Sequence, residues 1–320
     1  MPQTVHSQLE HLPISFFSAV MGLAGLSIAW EQVLIMMPAM AWLARVIGGA
    51  ALLLFACLAV AYLTKAVRYR AQVKAEFNHP IKLSFFASVS VSLVLLSTVL
   101  WPVSQQASWV FWVLGTVAQF CVLIAVVNAW LHRTTFKPEQ LNPSWFIPAV
   151  GNVLVSIPGV DHGFVNISWF FFSIGMLFWL VLMPIIFYRL VFQPPLPAKL
   201  LPTLFILIAP PAVGFLAYVK LNGQFDVLAK VLYYSALFFT FVLIAQAERF
   251  LKLPFALSSW AFSFPLAAIT SATWTVYALT GEPLMKWLGL LLLATATLVI
   301  SLLVVFTALA QSRKQICIPD

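Results

Sequence analysis

From Leu288 to Phe306 the chain runs for 19 residues without a charged side chain. As an α-helix, such a run nearly crosses the roughly 30 Å hydrocarbon core of a bilayer. Comparable runs recur along the whole sequence. Ten predicted spans cover approximately 14–30, 42–65, 82–101, 107–131, 144–160, 167–190, 201–219, 227–247, 254–279 and 284–310. The connections between them are too short to hold a soluble domain, so residues 1–320 read as a single transmembrane domain. The runs are continuous and do not alternate as the strands of a membrane β-barrel do. The expected fold is therefore all-α and polytopic.

Composition excludes the alternatives. The chain is 62% apolar and 8% charged, whereas a soluble domain carries about 25% charged residues. A soluble enzyme does not fit, and neither does a disordered chain, which needs low hydrophobicity. Cys57, Cys121 and Cys317 are far apart and give no metal spacing or disulfide framework. No cofactor is implied. The stretch before the first apolar run contains no Lys or Arg, so the first span is expected to be retained and not cleaved as a signal peptide.

The net charge of +8 reads as membrane topology and not as a nucleic-acid surface. With ten spans and a cytoplasmic N-terminus, 13 of the 17 Lys and Arg fall on the cytoplasmic side. That is the distribution expected of cytoplasmic loops, and it places both termini in the cytoplasm.

The prolines are distributed unevenly. Eleven of the 20 lie in or beside the odd-numbered spans, and the even-numbered ones hold only Pro184 and, at an edge, Pro283. Pro148-Ala149-Val150-Gly151 recurs as Pro211-Ala212-Val213-Gly214, and Pro265-Leu266-Ala267 is a weaker echo. Self-similarity of this kind indicates a repeated supersecondary unit, here a helical hairpin used five times. Proline is tolerated in a membrane helix where protein or water satisfies the freed backbone groups. The reading that follows is a quasi-fivefold arrangement with the odd helices inside, lining a pore and kinked at Pro148, Pro211 and Pro265.

These features, together with Trp260-Ala261-Phe262-Ser263-Phe264-Pro265-Leu266-Ala267 in the ninth span, resemble the TehA-like tellurite-resistance and C4-dicarboxylate transporter family, which includes the slow anion channels of plant guard cells. The resemblance covers essentially the whole chain. It implies a homotrimer in a bacterial cytoplasmic (inner) membrane, one pore per protomer, and a phenylalanine closing each pore midway. On this sequence the match for that residue is Phe262.

The remaining candidates follow from residue chemistry. Gly151, Asn152, Gly214 and Ser263 join the prolines as expected lining, with Asn152 and the span-nine hydroxyls as donors to a passing anion. Gln119 and Asn128, in even spans, are expected to bond between helices. Lys82 and Lys252 stand at the starts of two odd helices, whose positive dipole ends face the same side, and are expected to attract anions to the mouth. No Asp, Glu, Lys, Arg or His falls in the middle third of any predicted span. Since buried ionisable groups mark proton relays, the sequence favours a passive anion channel, or channel-like uniporter, gated by Phe262. The alternative is a proton-coupled secondary transporter of C4-dicarboxylates such as malate, or of tellurite-like oxyanions. No Ser–His pair, acid pair or metal cluster in the spans suggests an enzyme.

Overall fold

The computed structural model describes residues 8–318 and is entirely helical over them. Ten helices are long and apolar enough to span a membrane, and they coincide with the ten predicted spans to within a few residues at each end. They are α1 (Ile14–Gln32), α2 (Pro38–Arg68), α3 (Lys82–Leu100), α4 (Gln105–His132), α5 (Pro143–Asp161), α6 (Val165–Phe192), α7 (Leu201–Asn222), α8 (Val227–Ile244), α9 (Leu257–Thr280) and α10 (Pro283–Ser312). One element departs from the sequence reading. The basic connection after α2 folds as a further helix, Arg70–Asn78. Its Ala, Lys, Gln and Glu residues favour the helical state, and Pro80 stops it.

Odd and even spans differ in environment. Between 61% and 89% of the most apolar stretch of each odd span is buried, against 17% to 33% for the even spans. Each odd span packs against the even span that follows it. The odd spans also pack on one another in the order α1–α3–α5–α7–α9 and back to α1, which closes a ring. Leu53, Leu114, Leu180, Phe238 and Leu291 are among the large side chains that the even spans leave exposed. Those faces meet lipid or another protein.

Each odd span begins in the same way. A 3₁₀ segment precedes the α-helix at Ile14–Phe16, Lys82–Phe86, Pro143–Trp145, Ala198–Leu207 and Leu257–Phe262. A proline stands at or just before every one of them: Pro13, Pro80, Pro143, Pro197 and Pro254. Pro143 is the first residue of its segment, where its φ suits the helix and its missing amide would be orphaned anyway, and Pro13 and Pro197 are the extended residues just before theirs. The five 3₁₀ segments pack against their neighbours in the same cyclic order as the helices.

The expected kinks take a different form. Pro148, Pro211 and Pro265 are each the third residue of an α segment, starting at Phe146, Ala209 and Ser263. They occupy one register and mark the change from 3₁₀ to α geometry.

Close approach within the ring depends on α1. A Cβ on Gly22 would overlap the side chain of Ser263, and one on Gly25 would come within 3.2 Å of the Phe264 ring and 3.0 Å of the Ala267 Cβ. Serines on α3 tie the ring together. Ser88 and Ser92 donate to the Phe85 and Ser88 carbonyls of their own span (2.5 and 2.6 Å) with longer contacts to the Ile14 and Phe17 carbonyls of α1 (3.4 and 3.3 Å), while Ser90 donates to Gln119 Oε1 (2.7 Å).

Candidate functional site

A cavity of about 1180 Å³ opens on the face where the odd spans begin. All five odd spans contribute to its wall, and the ends of α2 and α10 border its mouth through Lys65, Leu309 and Arg313. The deepest lining residues of the five spans are Met21, Val91, Leu154, Val213 and Pro265, each in the middle third of its span. The cavity therefore reaches from one face to about mid-membrane and ends among apolar side chains.

Its mouth is charged and its floor is not. Lys65, Lys82, Lys199 and Arg313 line the outer part, against Glu10 and Glu76. One of these acids is already neutralised. Glu76 Oε2 accepts from Lys65 Nζ at 3.0 Å and from the Tyr62 hydroxyl at 2.7 Å, and Lys65 also donates to the Leu12 carbonyl at 2.8 Å. Lys65 is only 1% exposed, so this pair is a fixed tie between α2, the Arg70–Asn78 helix and the start of α1. The mouth keeps a net positive charge. Cys317 also borders it, where burial pushes its thiol above the ordinary cysteine range although Lys65 pulls the other way.

The structure divides the sequence candidates. Gly151, Pro265 and Lys82 line the cavity. Pro148, Pro211 and Gly214 are buried in the packing around it instead, with Gly214 facing the sulfur of Met176. Asn152 is fully buried and spends its Nδ2 on the Pro148 and Ala149 carbonyls, both at 2.9 Å. Gln119 bridges helices as expected, donating to the Pro148 carbonyl at 2.8 Å, whereas Asn128 is exposed. Ser263 is buried and donates to the Trp260 carbonyl at 2.6 Å, and Thr270 and Thr273 likewise bond their own helix. Of the span-nine hydroxyls named, Ser258 is the one that borders the cavity, and its Oγ has no hydrogen-bond partner among the described residues. Lys252 lies outside the cavity wall, exposed and paired with Glu248 at 2.5 Å.

Phe262 does not line the cavity. Its ring packs edge-on against Phe205 and Phe250, with centroids 4.7 and 5.7 Å away, and those two rings pack edge-on against each other at 5.1 Å. The cause is the 3₁₀ start of α9. At three residues per turn, positions i and i+3 eclipse, so Ser258 and Ala261 share a face, and Phe264 follows at the same spacing. All three line the cavity. Phe262 points to a different side, into the seam with α7. Phe264 stands at the cavity floor beside Pro265, its ring against Gly25 of α1.

A chain of ten apolar helices with a basic-mouthed cavity in its buried ring matches known membrane proteins over nearly its full length. It is 28% identical over 306 residues to the S-type anion channel SLAH3 of Arabidopsis thaliana, covering 93% of this chain and 48% of the plant protein. It is 27% identical over 268 residues to the tellurite resistance protein TehA homolog of Haemophilus influenzae, covering 83% and 81% of the two chains. A transporter of Methanocaldococcus jannaschii is 27% identical over 312 residues, 89% of this chain and 90% of that one. The chain thus spans about half the length of the plant channel and most of the length of the other two. Residues 11–308 match the family model described as SLAC1, voltage-dependent anion channel, and the chain belongs to this family of membrane anion channels and transporters.

Proposed function

We propose that the protein is a passive anion channel, or channel-like uniporter, whose path runs through the ring of odd spans and is closed at mid-membrane by Phe264. The observation that carries this reading is the cavity itself: positive at its mouth, uncharged at its floor, and ending at an aromatic ring. Anions gather at Lys82, Lys199 and Arg313, assisted by the dipole ends of the odd helices. A dry apolar constriction then offers them no replacement for their hydration, which is a recognised means of gating. Phe264, and not Phe262, takes the gating role because it borders the cavity while Phe262 is held in an aromatic cluster. The absence of a charged group at the floor suits passive flow, since a strong site would slow exit.

The mouth faces the cytoplasm in this reading, with both termini on that side, in a bacterial inner membrane, and three copies assemble with one path each. The charge distribution supports the orientation, and the family resemblance supports the trimer. The second reading is a proton-coupled carrier of C4-dicarboxylates or tellurite-like oxyanions. The name of the Haemophilus relative favours the oxyanion.

Bilayer recordings in asymmetric salts decide between the two. Unitary currents identify a channel, and pH-driven uptake without them identifies a carrier. For the gate, Phe264→Ala is expected to raise the resting anion current at least tenfold over wild type with little change in melting temperature. An unchanged current in a folded Phe264→Ala protein would reject the gate.

A further inference from the structure

The Arg70–Asn78 helix has two faces of opposite use. Gln72 and Glu76, one turn apart, line the cavity mouth. Glu76 is clamped by Lys65 and Tyr62, and Gln72 donates to Glu10 at 3.0 Å. Phe77 is fixed as well, its ring edge-on to Phe86 at 5.2 Å and its carbonyl accepting from Arg133 at 3.2 Å. The helix therefore cannot roll. Arg70 and Lys74, also one turn apart, project from the opposite face and are exposed, as is Arg68 just before them. None of the three has an ion-pair partner among the described residues. Between Ala66 and Lys82 the one acidic residue is Glu76, and it is turned inward.

The depth of this face is set by α2. Its outward apolar side chains continue to its last turn, with Val60 67%, Leu63 66% and Val67 70% exposed. Arg68 follows immediately, so the hydrocarbon boundary falls there. The helix then joins the end of α2 to the start of α3, so both of its ends are held at the face on which the cavity opens. Topology alone accounts for positive charge on this side. It does not account for Arg70 and Lys74 sharing the outer side of a helix that is pinned against the cavity mouth, with Arg68 just before it.

We propose that Arg68, Arg70 and Lys74 form a binding site for the phosphate headgroup of an anionic phospholipid in the leaflet that surrounds the cavity mouth. Basic residues beside a membrane helix attract such lipids, each contributing about a fivefold gain in affinity. The site backs directly onto the wall of the mouth through Gln72 and Glu76. The proposal needs the membrane location but neither the gate nor the identity of the transported anion.

The test is a binding titration of fluorescent phosphatidylglycerol to the full-length protein in detergent, with three competitors: unlabelled phosphatidylglycerol, phosphatidylcholine and soluble glycerol phosphate. Arg70→Gln/Lys74→Gln is expected to weaken phosphatidylglycerol binding about 25-fold, and each single substitution about fivefold. The melting temperature should stay that of wild type. Binding should weaken as salt is raised, phosphatidylcholine should not compete, and glycerol phosphate should compete only at far higher concentration. Equal affinity of wild type and both single variants would overturn the site, whatever the double variant does. Equal competition by phosphatidylcholine would also overturn it, and glycerol phosphate matching the lipid would replace it with a soluble-phosphate site.

Discussion

Phe262 sits in a three-ring cluster with Phe205 and Phe250 at the seam between α7 and α9, and its chemistry there is packing. Edge-on aromatic pairs contribute about 0.5–1.5 kcal/mol each beyond area burial. Phe262→Ala loses two of them, about 1–3 kcal/mol, in addition to the packing of the ring itself, and should leave the resting current unchanged. Thermal melting and bilayer recording of the same preparation check both parts, and an open current from Phe262→Ala would return the gate to that residue. The motif in span nine holds two phenylalanines two residues apart, and the structure places Phe264, not Phe262, on the cavity wall. At α-helical spacing Ser258, Phe262 and Pro265 share a face, whereas the 3₁₀ start puts Ser258, Ala261 and Phe264 there. Which geometry the backbone adopts is decided by the packing of five such segments against one another.

At the scale of elements, the same 3₁₀ geometry explains how a short inner helix reaches mid-membrane. A 3₁₀ turn rises about 2.0 Å per residue against 1.5 Å in an α-helix. The ten residues Ala198–Leu207 thus extend about 20 Å where α-helix would give about 15 Å. The prolines at the 3₁₀-to-α change stand where one ladder of hydrogen bonds gives way to the other. Pro211→Ala should therefore shift stability by less than about 1 kcal/mol, read by melting of the full-length protein. A change several times larger would mean that this proline bends a helix interior after all. Its counterpart in α6, Pro184, does lie inside a helix, and the contrast between the two substitutions isolates the effect of position.

For the whole molecule, the relevant quantity is the field at the mouth. Lys199 borders the cavity, whereas Lys252 is exposed, paired with Glu248 and outside the wall. Lys199→Glu should reduce anion conductance strongly at about 0.05 M salt and much less at about 0.5 M, where screening is short-ranged. Lys252→Glu should change it less at both. Equal losses from the two variants would mean that net charge, and not position, governs attraction.

On the opposite face, beyond the end of α5, His162 meets Trp101 and Trp112 with ring centroids 4.9 and 5.6 Å away and contacts Ser108 Oγ through Nε2 at 3.1 Å. Burial disfavours the imidazolium and holds its pKa below the ordinary histidine value, although Asp161 beside it pulls upward. The unfolded chain then binds more protons than the folded one below about pH 6.5, so stability is lost as pH falls through that range and levels off below the folded pKa. The melting temperature of the full-length protein should drop between about pH 7.5 and pH 5.5. His162→Gln should flatten this part of the profile, and an identical profile would remove His162 from it.

Ten spans, their order and their unequal proline content were legible because bilayer thickness fixes how many consecutive apolar residues a crossing helix needs. Each span reports that requirement independently of the others. Buried inner helices were legible too, since proline and small residues are tolerated only where protein surrounds them. The helix at Arg70–Asn78 was hidden because its short pattern carries no membrane signal, and nothing in the sequence pairs Lys65 with Glu76, which a turn brings to it. Lys199, Arg313, Ser258 and Phe264 come together only when five segments distant in sequence close a ring. Burial and length are properties of one segment and can be read from it, but which side of a helix faces the cavity depends on its neighbours, and that is settled by tertiary packing alone.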